Sequence, residues 1–399
     1  MKILIITPRI PYPPYRGDKL KIYNISRILA QNNDVTILTF QRNSKQYSEI
    51  NSLRKIGVKV EVVKLTILES LVRSFLNIFS SLPFQVAWYQ SSRMKKKIAQ
   101  LTVVEKYDVE YYHLVRSAQY LQEKTSGHSV LRILDFTDAV SLYLARLATA
   151  ERNYIKKILI NIERNRIKKH EYIAEKFHTL FICSPVDKKF LEDTGLNVNI
   201  NILNNGIDTS YFNSKQTEYE KNRIIFTGNM PYYANYDAAI HFCNDIFPII
   251  LSRNSNAKFY IVGQYPPRRI KNLGNNNTVV TGFVENIKEE YLKSAVNIAP
   301  MRFGAGTLNK VIESIALGVP VVASPIAVQG LPEVLKEYIL ISDNPAGFAE
   351  NILRVLSDPT SYREKMKEGQ KIITEILSWE KIVGDFEGYL RSELQKLNS

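Results

Sequence analysis

Lys310 and Glu313 stand three residues apart in FGAGTLNKVIESIALGVPVVAS, residues 303–324, just after a glycine-rich turn. That spacing sets both side chains on one face of a helix. If the helix begins near Thr307, the backbone N–H groups of Gly306 and Thr307 point, with its positive end, at any anion in the turn. From Thr307 to Glu313 is roughly 9 Å of helix. A diphosphate held at the helix mouth would leave an attached ribose beside that face. Lys310 would then neutralise phosphate, and Glu313 would accept hydrogen bonds from two ribose hydroxyls rather than donate a proton. A packing reading fits the same residues: glycines for a tight turn, an apolar helix face in the core, charges facing water. The residues alone leave both readings open. The pattern G-x-x-x-x-G-K-[ST] is absent, so this is not a Walker loop.

Other side chains could carry chemistry. His113 closes the apolar run VEYYH, where a histidine is either a hydrogen-bonded structural residue or a ligand contact. Arg116, three residues on, suits an anionic acceptor. Gly17 lies where the first strand turns toward the first helix; it is a plain turn residue or an opening that lets the loop approach a ligand. Asp135 and Asp138 in LDFTDA read as helix caps, with acceptor-site carboxylates as the other option.

These positions need elements to hold them. Short β-rich runs at 3–7, 35–40, 58–63, 109–113, 131–135 and 179–183 alternate with helical stretches. After residue 220 the alternation restarts, with runs at 223–227, 258–262, 278–281, 296–300, 320–323 and 338–341. Such alternation predicts parallel sheets with crossover helices. Residues 18–31 carry apolar groups at helical spacing, with Asp18 placed as N-cap. The expected organisation is an α/β chain of two tandem, doubly wound, Rossmann-like domains, with ligands in a cleft at the carboxyl ends of both sheets. We place the domains at 1–195 and 223–377, joined by a polar linker at 196–222. The helical pattern at 378–397 is expected to pack back on the first domain.

Composition excludes several classes. With 399 residues, 45% hydrophobic and 23% charged, the chain is long enough for two folded cores. Two cysteines, Cys183 and Cys243, make a disulfide framework unlikely and fit a reducing compartment. No zinc spacing occurs. The apolar run at the N-terminus is too short for a signal peptide, and no stretch is long enough to span a membrane. The net charge of +14 is confined to one half. Residues 1–200 hold 32 Lys and Arg against 18 Asp and Glu, whereas residues 201–399 hold 21 of each. The first half should therefore meet something anionic. Nucleic acid is a weak candidate, since no helix-turn-helix, RRM or zinc pattern appears.

The segment 302–324 resembles the donor-binding region of retaining glycosyltransferases of family 4, the group 1 transferases with the GT-B fold. In that pattern Glu313 is the second of two glutamates and SIALGVPVVAS follows it; Ala305 stands where the first glutamate would be. The N-terminal PPYRGDKLKIYN resembles the family's glycine loop, with Gly17. YDVEYYHLVR resembles the strand that carries a donor-site histidine, here His113. LNNGIDTSYF resembles the interdomain motif, and FTGNM, with Gly228, the start of the nucleotide domain. The SWEKIVGDFEGYL stretch resembles the C-terminal crossing helix. The match spans nearly the whole chain and is nearest to transferases associated with bacterial exopolysaccharide.

The resemblance implies transfer of a sugar from a nucleotide-sugar donor, UDP- or GDP-linked, to a glycan or lipid-linked acceptor, with the anomeric configuration retained. Its expected setting is assembly of exopolysaccharide, capsule or lipopolysaccharide. His113, Arg302 and Lys310 are the implied catalytic groups. Asn229, Met230 and the YYANYD run at 232–237 replace the family's usual basic pair, so Arg302 and Lys310 are the candidates for phosphate neutralisation. Gly17, Gly228, Gly304, Gly306, Thr307, Leu308 and Glu313 are the implied donor-binding set. No D-x-D triplet occurs, so a metal-independent reaction with no cofactor is expected. Ala305 keeps a second possibility in view: a degenerate, non-catalytic protein that binds nucleotide or glycan. Basic and apolar residues at 67–101 and 155–170 suggest peripheral attachment of a cytoplasmic protein to the inner face of the plasma membrane.

Overall fold

The computed structural model describes residues 1–122, 129–213, 218–304 and 308–399. They form two compact units, Met1–Asn205 with Trp379–Ser399, and Gly206–Ser378.

The first unit is built on seven parallel strands: β1 (Lys2–Thr7), β2 (Asp34–Gln41), β3 (Lys59–Lys64), β4 (Val109–His113), β5 (Leu131–Thr137), β6 (Thr179–Ile182) and β7 (Ile200–Ile202). Their order is β3-β2-β1-β4-β5-β6-β7. Central strands covered on both faces must be apolar throughout, and all of β1 after Lys2 and all of β2 after Asp34 are buried. The chain runs outward from β1 to β3, then returns to the far side of β1 with β4. Doubly wound sheets bind ligands at such a reversal, outside the carboxyl ends of the strands. Thr7 and His113 end the two strands that flank it.

Strand β7 falls inside the stretch read from sequence as a linker. Its INI is short, yet Ile200 is buried and pairs with Leu180 of β6, extending the sheet by one edge strand. The helix Trp379–Asn398 belongs to the first unit. The Phe386 ring meets Tyr111 and Phe181 edge-on at 5.9 and 5.2 Å, and the Tyr389 hydroxyl lies 2.6 Å from Thr179 Oγ1.

The second unit holds β8 (Glu220–Thr227), β9 (Lys258–Val262), β10 (Thr278–Gly282), β11 (Ser294–Ala299), β12 (Val321–Ala323) and β13 (Ile339–Ile341). The order β10-β9-β8-β11-β12-β13 is again parallel and doubly wound. Its reversal lies between β8 and β11, so Gly228 and residues 300–304 emerge at the position where a ligand is expected.

Two helix starts differ from the sequence reading. The helix Gly17–Leu29 begins at Gly17 with Arg16 as its extended N-cap residue, and Asp18 lies in the first turn. Asp18 does not cap because its carboxylate is taken by Arg9 at 2.7 Å and Arg16 at 3.3 Å. The helix after the glycine-rich turn runs Asn309–Ala316, with Leu308 extended before it, rather than beginning at Thr307. It ends at Gly318, whose φ of +69° is the left-handed conformation that favours glycine. There the Val319 N–H closes on the Ser314 carbonyl at 2.9 Å.

Candidate functional site

Lys310 sits in the first turn of Asn309–Ala316, a helix that buries most of its residues against the second sheet. Its side chain is carried inward, and the residue is 8% exposed. It donates to Asn235 Oδ1 at 2.8 Å and lies 3.9 Å from the centre of the Phe226 ring. Burial disfavours the charged form and pulls the pKa down to about 7, against a raising influence from Glu313. The direct partners of the Lys310 ammonium are thus a neutral amide and an aromatic face rather than a carboxylate.

Gly228 shapes the same spot. A Cβ there would come within 2.6 Å of Asn235 Nδ2, and the Asn235 amide also donates to the Asn229 carbonyl at 3.1 Å. Glycine after β8 thus lets Asn235 approach closely enough to aim its oxygen at Lys310. Asn235 lies on the helix Tyr233–His241 and was not singled out from the sequence. It lies within the run YYANYD, residues 232–237, which the sequence marks only as standing where the family's basic pair would be.

Glu313, one turn beyond Lys310, is half-buried. Burial raises its carboxyl pKa, although Tyr291 donates to Oε2 at 3.0 Å and Lys310 opposes the shift. Tyr291 in turn meets Thr227 Oγ1 at 2.6 Å. Tyr291 was also missed, being a buried tyrosine with no sequence signal beyond its type.

Arg302 occupies the loop after β11, exposed, and forms a two-pronged pair with Asp237, with Nε donating to Oδ2 at 2.9 Å. That hydrogen bonding raises its pKa. Arg302 is therefore already neutralised by a carboxylate, which the expectation of a phosphate-neutralising arginine did not include. Gly304 is buried with open space where a side chain would be, and Leu308 is half-buried. Ala305, Gly306 and Thr307 lie outside the described residues.

In the first unit, His113 is buried between two hydroxyls: Thr7 Oγ1 is 3.1 Å from Nδ1 and Thr137 Oγ1 is 3.5 Å from Nε2. Burial lowers its pKa to about 4, against the raising influence of Asp135 and Asp18. It is a neutral imidazole with both nitrogens engaged. Asp135 caps no helix. It forms a fully buried ion pair with Lys21 at 2.8 Å, and accepts from the Tyr111 hydroxyl and from the Thr137 N–H at 2.7 Å. Nor does Asp138 cap, since the next helix, Val140–Ala150, starts after Ala139. Asp138 accepts from the Cys183 thiol, and burial together with Asp187 raises its pKa to about 7. A methyl group placed on Gly17 would meet nothing within 4 Å, so packing does not demand glycine there. Arg116 is half-buried, donating to Gln85 Oε1 at 3.1 Å.

Residues 221–358 match the model of a family described as glycosyl transferases group 1. That segment contains Gly228, Asn235, Tyr291, Lys310 and Glu313. A protein from Klebsiella pneumoniae, described as an uncharacterized 44.6 kDa protein in the cps region, is 22% identical over 91% of this chain and 93% of its own length. Sucrose-phosphate synthase from Thermosynechococcus elongatus superposes with a TM-score of 0.71 over 99% of this chain and 100% of its own, at 14% identity. Anabaena HepE in complex with UDP-glucose superposes with a TM-score of 0.67, over 98% of this chain and 100% of its own, at 13% identity. The fold is GT-B. Lys310 and Glu313 lie on the helix that follows β11, next to the reversal between β8 and β11 of this fold.

Proposed function

We propose that this protein is a glycosyltransferase that moves a sugar from a nucleotide diphosphate to a glycan or lipid-linked acceptor, with retention of configuration, in the assembly of a bacterial surface polysaccharide. The observation that carries the reading is Lys310, a buried ammonium with a neutral amide partner at the carboxyl ends of β8 and β11. The group 1 match over this segment supports it, as do HepE's complex with UDP-glucose and the cps-region relative.

On this reading the donor diphosphate supplies the direct counter-charge that the Asn235 amide does not, and Glu313 accepts hydrogen bonds from the ribose. As the bond to the anomeric carbon breaks, negative charge grows on the departing phosphate oxygen. Lys310, fixed before reaction, stabilises that charge in a site of low dielectric. Arg302, tied to Asp237, orients rather than neutralises. A leaving phosphate oxygen takes the acceptor's proton on the same face, so no protein nucleophile is required. Metal is not part of the scheme, so EDTA should leave turnover intact. Loss restored by magnesium would reject that part.

The test of the central reading is thermal shift with UDP-, GDP- and ADP-sugars, since a ligand that binds only the folded chain raises the midpoint. One UDP- or GDP-sugar should raise it in the native chain and fail to do so in Lys310→Met. A shift that survives the substitution, or no shift with any donor, rejects the site. Retention is read from the anomeric coupling constant of the product.

Attachment to an anionic membrane belongs to the same proposal. The helix Ile67–Leu76 turns Leu68, Leu71, Val72, Phe75 and Leu76 to solvent, and Phe79 beyond it is 98% exposed. On the helix Tyr154–Glu171, Ile155, Ile158, Leu159 and Ile162 form a second exposed stripe. Arg166 joins the two by donating to the Ile78 carbonyl and lying over Phe84. Lys156 and Lys157 on the second of these helices, and Lys95 and Lys96 on the helix Ser92–Val104, are exposed, and each basic group near an anionic surface contributes roughly 1 kcal/mol. Among the described residues no helix is long and apolar enough to cross a membrane. The expected location is the inner face of the plasma membrane. Pelleting with anionic but not neutral vesicles, weakened by salt, is the expected result; equal recovery on both would reject it.

A further inference from the structure

Three guanidinium groups crowd the carboxyl ends of β1 and β4 in the first unit. Arg9 follows β1, Arg16 precedes the first helix, and Arg116 follows β4. Arg9 donates to Tyr89 Oη at 2.8 Å and to Asp18 at 2.7 Å, while Arg16 reaches the other oxygen of Asp18. Arg9 and Arg116 both lie over the Tyr89 ring, at 5.8 and 5.9 Å. Among the described residues of this cluster Asp18 is the single carboxylate, so two positive charges are left over. The neutral His113 next to it adds none. The arginines hold Asp18 down at a pKa of about 2 despite its burial, and Arg9 and Arg16 add to the burial that lowers Arg116. Groups that repel one another at the ligand-binding end of a sheet are stabilised by a dianion, and the planar guanidinium matches phosphate oxygens in pairs.

A fourth arginine ties this cluster to the apolar face. Arg42 lies 5.3 Å from the same Tyr89 ring. It donates to Ser70 Oγ at 2.6 Å and to the Thr66 carbonyl at 3.2 Å, at the start of the exposed helix Ile67–Leu76.

We infer that Arg9, Arg16 and Arg116 form a subsite for a phosphate or diphosphate ester, and that this ester is part of the acceptor. The assignment to the acceptor rests on the proposed transferase reading; the anion subsite itself does not. The same chemistry could come from a soluble sugar phosphate or from a polyprenyl diphosphate in the membrane.

The experiment uses the full chain carrying Lys310→Met, so that the proposed donor site does not take up the probe. Calorimetric titration with inorganic pyrophosphate and with farnesyl diphosphate reads the subsite. Arg116→Gln should weaken both about tenfold or more, a loss expected for one charged hydrogen-bonding partner. Arg16→Gln, at an exposed position where folding is not at stake, should weaken both by a smaller factor. Asp18→Asn should strengthen both several-fold by releasing two arginines, a gain that a purely structural cluster would not give. Farnesyl diphosphate binding well beyond pyrophosphate supports the subsite with a lipid-borne ester; equal binding supports it with a soluble one. Binding absent, or unchanged by all three substitutions, overturns the inference. A failed donor screen in the native chain would reject the transferase reading and leave this titration standing.

Discussion

Among the described residues, each unit buries one lysine near the reversal of its sheet, and the two are treated differently. Lys21, in the first helix of the first unit, has no exposed surface and faces Asp135 at 2.8 Å. Lys310 of the second unit is nearly as buried and faces the amide oxygen of Asn235, also at 2.8 Å. The geometry is alike and the charge balance is not. A buried ion pair is complete in itself, and removing either partner leaves the other desolvated and alone. A buried lysine on an amide is only partly compensated: its solvation has been lost, its hydrogen-bond partner carries no charge, and only the electrostatic influence of Glu313 favours its protonated form. The first arrangement holds β5 to the helix. The second leaves Lys310 with its charge largely unpaired, and on the proposed reading a diphosphate would pair it.

The sharpest way to break this comparison is to remove each ammonium in turn. Lys310→Met should lower turnover about 10²–10³-fold, the loss seen when a fixed electrostatic donor is deleted. Its effect on unfolding should stay within about 1–2 kcal/mol, since a single amide oxygen loses its partner. Lys21→Met should do the reverse. Asp135 is then left in the core without its cation, and urea unfolding of the first unit should weaken by about 3–5 kcal/mol at neutral pH. Equal stability losses in the two variants would erase the distinction.

A second test converts one site into the other. Asn235→Asp gives Lys310 the carboxylate that Lys21 already has, so the donor diphosphate must compete with a built-in anion. Donor affinity should fall about 10–100-fold. The pH dependence carries its own sign. In the free native chain Lys310 loses its proton near pH 7, whereas a bound diphosphate favours the protonated form. Binding above pH 7 therefore takes up a proton, and the donor Kd should rise toward tenfold per pH unit. In Asn235→Asp the lysine stays protonated through this range, and the slope should vanish. A flat profile in the native chain would mean that Lys310 does not meet the phosphate.

How much of this was legible in the residues alone follows from what each signal depends on. Strands such as KILIIT and DVTILTFQ are readable because a parallel strand covered on both faces must be apolar along its length. INI of β7 was not, being three residues inside a polar stretch whose strand character comes from pairing with β6. Lys310 and Glu313 were found because their three-residue spacing is local. Their partners, Asn235 and Tyr291, lie 75 and 22 residues away, and nothing near them in the chain announces the contact. Asp18 was misread because an aspartate before an apolar helix resembles a cap. Two arginines, at positions 9 and 16, claimed it instead. Local chemistry could be read from the sequence; charge compensation between distant elements could not.

The smallest effect is expected at Glu313, and it separates binding from scaffolding within the second site. Tyr291 holds three partners through one hydroxyl: Glu313 Oε2 accepts from it at 3.0 Å, Thr227 Oγ1 is 2.6 Å away and the Lys310 carbonyl is 3.4 Å away. If Glu313 is truncated to alanine, the Tyr291 hydroxyl can still donate to Thr227, so no buried donor is orphaned. The carboxyl itself is only half-buried and has its pKa raised by that burial, so its removal relieves an unfavourable ionisation. Glu313→Ala should therefore unfold within about 1 kcal/mol of the native chain. Donor affinity should nevertheless drop about tenfold, as two ribose hydroxyls lose their acceptor. The loss should be the same for sugars that share a nucleotide and should disappear for a 2′,3′-dideoxy nucleotide, which offers no hydroxyls to clamp. An undiminished affinity for the ordinary nucleotide would assign Glu313 to positioning Tyr291, and would leave Lys310 as the element on which donor recognition turns.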